Sequence, residues 1–146
     1  MVDASLQELS KFAEGIFNAQ PFSAFLGARL VEVTSSSAVI AVDNREELRQ
    51  QHGYIHGGVI SYLADNALTF AGGLALGGDA LTAEYKINYA KPAVGTRIVA
   101  EAETVAVTRS QAVCRCLVYS CSGEEKKLVA VAQGTIVAAG KKRGGE

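Results

Sequence analysis

Leu6, Leu9, Phe12, Ala13, Ile16 and Phe17 recur at three- and four-residue steps between Ser5 and Ala19. That is the period of an amphipathic helix with one apolar stripe. Gln20-Pro21 predicts its end, because a residue preceding proline avoids helical dihedrals. Phe22-Ser23-Ala24-Phe25-Leu26-Gly27 then reads as a short apolar connector. From Arg29 to Val42 the pattern is that of strands. Leu30, Val31 and Val33 lead into Thr34-Ser35-Ser36-Ser37, and Ala38-Val39-Ile40-Ala41-Val42 follows, as a hairpin or one long bent strand. Asp43–Tyr54 reads as a polar loop.

Gly57–Leu76 is apolar on almost every side and predicts one long helix. Its length would span a bilayer. Asp65-Asn66 sits in its middle, where a charge is expensive, and no basic cluster flanks it. A helix buried inside protein accounts for the run better. After it the chain stays strand-like: Ala80–Tyr89, Thr96–Thr108, Gln111–Cys121 and Lys126–Ala139, separated by turns at 91–95, 109–110 and 122–125. We read these as a four-stranded meander. A lone apolar helix needs cover, and an antiparallel sheet of five or six strands curled around it supplies that cover. The expected fold class is α+β. Gly72-Gly73 and Gly77-Gly78 would allow close approach to the sheet or end the helix.

Length and composition agree with one domain over 1–146, with a flexible tail from about 140. The chain has 146 residues, 49% hydrophobic and 20% charged. A domain of this size buries roughly two-thirds of its unfolded surface and needs no disulfides. The net charge of −1 offers no basic surface for nucleic acid, since Lys141-Lys142-Arg143 is read as a solvated terminus. Cys114, Cys116 and Cys121 are an odd number in a chain that is not disulfide-dense, so reduced thiols are expected. No ligand spacing suggests a metal. Without a signal-like opening segment, a cytoplasmic protein away from membranes is the expectation.

The chemistry concentrates in Gln50–Thr69. Ser61, Asp65 and Thr69 are spaced i, i+4, i+8 and share one face of the long helix. A carboxylate on so apolar a helix needs a partner or a purpose. At the helix start, His56-Gly57-Gly58 places glycines where amide N–H groups lack intrahelical acceptors. Such donors, at the positive end of the helix dipole, can hold a carbonyl oxygen as it gains negative charge. Gly57 and Asp65 are separated along the axis by ~12 Å. One subunit's Gly57 and its own Asp65 are therefore too far apart to serve one carbonyl. A dimer in which a facing subunit contributes the acid is the expectation.

His-Gly-Gly, the acid nine residues after the histidine, and the later strands together resemble the hotdog-fold acyl-CoA thioesterases of the phenylacetate-degradation type, over roughly residues 20–139. The resemblance implies a hotdog fold and hydrolysis of an aromatic or medium-chain acyl-CoA, with CoA as part of the substrate and no cofactor. It implies that His56 is the motif histidine and that the Gly57 N–H polarises the thioester carbonyl. Asp65 is then the nucleophile or the general base for water, with Thr69 supporting the acid or the water. Gln50 falls where family members carry Asn or Gln. Thr82 matches a Ser or Thr at the acyl end, beside a pocket edged by Tyr62, Leu68 and Thr69, with Gly58 at the carbonyl. Lys91, in Tyr89-Ala90-Lys91-Pro92-Ala93, borders the CoA channel and is the first candidate for its phosphates, with Arg109 and Arg97 behind it. A homo-oligomer is implied, as a dimer or a pair of dimers. Two other readings stay open: a hotdog enoyl-CoA hydratase or dehydratase, and a non-catalytic acyl-CoA binding module.

Overall fold

The computed structural model describes residues 4–140. Lys141-Lys142-Arg143 and the tail expected beyond about residue 140 lie outside the described residues. The amphipathic stretch forms α1 (Ala4–Asn18), which buries Ala13 and Phe17. Phe17 packs against Phe70 with ring centroids 5.8 Å apart. The expected connector is instead a second helix, α2 (Pro21–Leu26). Pro21 stands in its first turn, where proline's fixed φ suits a helix and its missing N–H costs nothing. The proline that ends α1 therefore also starts α2, and six residues are too few for a period to be read.

The region Arg29–Val42 resolves into a hairpin, β1 (Arg29–Val33) and β2 (Ser37–Asp43). A 3₁₀ turn at Glu46–Leu48 interrupts the polar loop and buries Leu48. Then come α3 (Gly57–Leu76), β3 (Ala80–Tyr89), β4 (Arg97–Val107), β5 (Gln111–Ser122) and β6 (Glu125–Ala138). All six strands form one antiparallel sheet in the order β1-β2-β4-β5-β6-β3.

That order corrects the four-strand meander. β4, β5 and β6 follow one another, but β3 lies at the far edge against β6, with Ala80 opposite Ala138 and Tyr89 opposite Ala130. The segment 91–95 is therefore no hairpin turn. It carries the chain back across the sheet: Lys91 N–H donates to the Val129 carbonyl, the buried Ala93 accepts from Ile55 N–H, and the Gly95 carbonyl accepts from Asn44. A period of two identifies a strand but not its neighbour.

Side chains on one sheet face, among them Ile40, Ile98, Cys114, Cys116, Val118 and Ile136, close over Leu63, Ala64, Ala67, Leu68 and Ala71 of α3. α3 is long and apolar enough to cross a membrane; here it packs against five strands. Two glycines, one in α3 and one just beyond it, have clear reasons. A Cβ built on Gly72 would stand 2.6 Å from the Ile136 Cβ, so this crossing admits no side chain. Gly77 has φ of 75°, and its N–H caps the helix at the Gly73 carbonyl. Cys114 and Cys116 share the inner face as their spacing requires, whereas Cys121 joins Ala41 and Val99 in a small cluster on the outer face. All three are free thiols.

Candidate active site

His56 caps α3. Its φ and ψ of −59° and 135° turn the chain into the helix, and its Nδ1 accepts the Gly58 N–H at 2.8 Å. An imidazole that accepts at Nδ1 carries its proton on Nε2 when neutral. The cap removes Gly58 as a donor for a substrate carbonyl, which corrects one expectation. It leaves the Gly57 N–H, which has no acceptor among the described residues. Tyr89, at the end of β3, closes on this corner: its hydroxyl donates to the Gly57 carbonyl at 3.1 Å. Its ring lies 3.5 Å from a Cβ built on Gly57.

Two turns into α3, Asp65 is half-buried. Its Oδ1 accepts the Thr82 hydroxyl at 2.6 Å. No other hydrogen bond reaches this carboxylate from the described residues, and Oδ2 stays available. Thr69 donates to the Asp65 backbone carbonyl at 2.8 Å and lies 2.7 Å from the Thr82 hydroxyl oxygen. The two threonines therefore exchange their expected parts. Thr82 holds the carboxylate, and Thr69 bonds the helix backbone one turn back. The reason is tertiary: the helix face of Ser61, Asp65 and Thr69 looks onto β3, where Tyr85 meets Ser61 and Thr82 meets Asp65.

Beside Asp65 opens a cleft of about 430 Å³, with Tyr62, Asp65 and Thr69 on one side and Pro21, Phe22 and Ser23 on the other. Leu68 does not edge it. That side chain is 0% exposed within the core, on the stripe of α3 that faces the sheet. Gln50 lies in the loop that leads to His56 and Gly57. Its Oε1 accepts the His52 N–H within its own turn, while its N–H bonds the Tyr54 carbonyl. Lys91 is exposed two residues beyond Tyr89, on the side of the fold where α3 begins. Arg97 opens β4 across from Asp43, in a surface hollow shared with Arg29. The Arg29 guanidinium grips Asp43 through two bonds of 3.0 and 3.1 Å and holds its carboxyl below the usual range. Arg109 turns the chain between β4 and β5, where the neighbouring Ser110 carbonyl accepts the Ala138 N–H.

Sequence reasoning missed a polar lattice next to the acid. Gln20 Nε2 donates to Asn66 Oδ1 at 3.2 Å, and Asn66 Nδ2 donates to Gln20 Oε1 at 2.9 Å and to the Tyr62 oxygen at 3.2 Å. Ser23 donates to Gln20 Oε1 at 2.6 Å, which leaves the Tyr62 hydroxyl to donate to Ser23. Asn66 on an apolar helix was the available signal; its partners outside α3, Ser23 and Gln20, lie 43 and 46 positions away. Among the described residues no group of three His, Cys, Asp or Glu side chains converges as a metal site.

The family model of the thioesterase superfamily matches residues 52–127, just over half of the chain and the segment that carries His56, Gly57, Asp65 and Thr82. The chain belongs to the thioesterase superfamily. It is 32% identical to a variant of the phenylacetic acid degradation protein PaaI from Thermus thermophilus, with a TM-score of 0.73 over 82% of this chain and all of that one. With a protein of Saccharolobus solfataricus named as an esterase it shares 30% identity over 93 residues, 60% of this chain. The chain covers 59% of that relative's length. It is 25% identical to the 1,4-dihydroxy-2-naphthoyl-CoA hydrolase of Listeria monocytogenes, over 81% of this chain and 95% of the other. The fold is the hotdog fold of these proteins: one long helix wrapped by an antiparallel sheet.

Proposed function

We propose that the protein hydrolyses acyl-CoA thioesters at a site shared by two copies of the chain. The observation that carries this is the pairing of a free N–H at Gly57 with a carboxylate at Asp65 whose Oδ1 is held and whose Oδ2 is open. Membership of the superfamily and the naming of one relative as a CoA hydrolase support the reaction class.

The ~12 Å between the two groups along α3 asks for a second subunit. β3 is an edge strand whose outer backbone groups are unpaired. Antiparallel pairing of two β3 edges about their middle would extend the sheet. It would also carry the Tyr89–Gly57 corner of one copy toward the Thr82–Asp65 pair of the other. A twofold dimer of this kind builds two identical sites.

In the reaction, the thioester oxygen accepts the Gly57 N–H, and the helix dipole stabilises the charge that develops there. The partner subunit's Asp65 then acts in one of two ways. Its Oδ2 attacks the carbonyl carbon, CoA leaves as the thiolate, and water opens the resulting anhydride. Alternatively, Oδ2 takes a proton from water as that water attacks. Both routes end in a free acid, with the CoA thiolate taking up a proton. His56 shapes the corner by holding Gly58. The exposed Lys91 is the cation proposed to meet the phosphates of CoA.

Thiol release from a panel of acyl-CoAs tests this directly. Wild type releases CoA, and Asp65→Asn is slower by about 10²–10⁴-fold, the usual contribution of a positioned acid–base group. An Asp65→Asn protein that turns over at the wild-type rate would sink the proposal.

A further inference from the structure

The polar lattice has no evident part in the chemistry, yet it builds one wall of the Asp65 cleft. Ser23 is 1% exposed, one of only two buried polar side chains among the described residues. With Gln20, Tyr62 and Asn66 it forms a closed set of hydrogen bonds, and no buried side-chain polar atom among the described residues lacks a partner. Such a set fixes the rotamers of its members. Its effect is to fasten the α1–α2 junction to α3 one residue beyond Asp65.

What the fastening positions is Phe22. Its ring stands edge-on to Tyr62, centroids 5.2 Å apart at 87°. It is 57% exposed and lines the cleft that Asp65 shares. The polar groups of the lattice are turned into one another, so this wall offers a substrate Pro21 and two aromatic rings. Asp65 is the one charged group that lines the cleft. The surroundings suit an uncharged apolar acyl group.

We propose that Phe22, braced by Tyr62, is a specificity-determining residue that closes the acyl end of the cleft and makes the protein select acyl groups by length. Compact acyl groups end short of the ring, and straight chains long enough to run into it are rejected. The inference rests on the reading of Asp65 as the catalytic acid, because the wall is defined by its place in the Asp65 cleft.

The experiment is kcat/KM for butanoyl-, hexanoyl-, octanoyl- and decanoyl-CoA with wild type, Phe22→Ala, Phe22→Trp and Tyr62→Phe. Phe22→Ala raises the decanoyl-to-butanoyl ratio by about tenfold or more, since pocket contacts discriminate single methylenes by roughly 10–200-fold. Phe22→Trp lowers that ratio. Tyr62→Phe, which keeps the ring and loses the bond to Ser23, shifts it in the direction of Phe22→Ala by a smaller factor. A ratio that neither Phe22 variant moves overturns the proposal, as does movement in the same direction by both. Asp65→Asn on the same panel separates the two levels. If it turns over like wild type, the reading of the site fails. If it is inactive while the ratio stays fixed in the Phe22 variants, only the wall fails.

Discussion

At the scale of single residues, the site depends on which oxygen of Asp65 is occupied. Thr82 is the carboxylate's only hydrogen-bond partner among the described residues, through a 2.6 Å bond to Oδ1. A hydrogen bond to a charged group contributes about 1.5–3 kcal/mol. If that bond orients Oδ2 for reaction, losing it costs roughly 10- to 100-fold in rate, at about 1.4 kcal/mol per factor of ten. Thr82→Val keeps the shape and removes the donor, so kcat should fall by that factor. Thr82→Ser keeps the hydroxyl and should recover most of it. Equal losses in both variants, measured by steady-state thiol release, would mean that Thr82 acts through packing alone. Gln50 Oε1 is occupied by the His52 N–H of its own turn, in the loop that leads to His56 and Gly57.

At the scale of elements, the crossing of α3 over β6 is set by the absence of a side chain. Gly72→Ala would drive a methyl group to 2.6 Å from Ile136, and the helix or the strand must move to accept it. Overpacking of this kind costs about 1–3 kcal/mol. The midpoint of urea unfolding should drop accordingly, and an unchanged midpoint would show that the crossing is looser than it looks. β5 supplies a second test. Burial pushes the Cys116 thiol up to about 12, and burial raises Cys114 as well. Thiolate, the reactive form, is therefore scarce at these two positions at pH 8. A thiol-reactive dye should see at most Cys121 in the native chain and all three cysteines after denaturation. Rapid reaction of Cys114 or Cys116 in the native protein would show that β5 opens easily.

At the scale of the whole molecule, the proposed site is divided between copies, and that division can be tested without a structure of the dimer. Gly57→Pro removes the amide donor. It is compatible with the fold, because proline suits the first helical position and His56 already has the extended ψ of 135° that a following proline requires. Gly57→Pro and Asp65→Asn should each be nearly inactive alone. Refolded together, half the dimers are mixed, and each mixed dimer holds one intact site and one doubly altered site. About a quarter of wild-type activity should return, by the symmetry of a twofold dimer. No recovery would place Gly57 and Asp65 in separate functions or in one chain.

The elements and the motif were legible along the chain, because both are local. A period of 3.6 or 2 is written in the order of side chains, and so are the bounds of α1, α3 and the strands, to within a residue or two. His56, Gly57 and Asp65 could be singled out because a glycine pair at a helix start and an acid on an apolar helix are local contradictions that need explaining. The rest depends on which distant segments meet. β3 took the far edge beside β6, Thr82 rather than Thr69 reached the carboxylate, and Leu68 turned into the core. The lattice that joins Gln20 and Ser23 to Tyr62 and Asn66 was decided in the same way, by contacts across 39 to 46 positions. The sequence by itself determined what the long periodic segments are. Only the tertiary structure decided what each segment faces, since pairing order and side-chain partners follow from packing the whole sheet around one helix, and no local pattern records that packing.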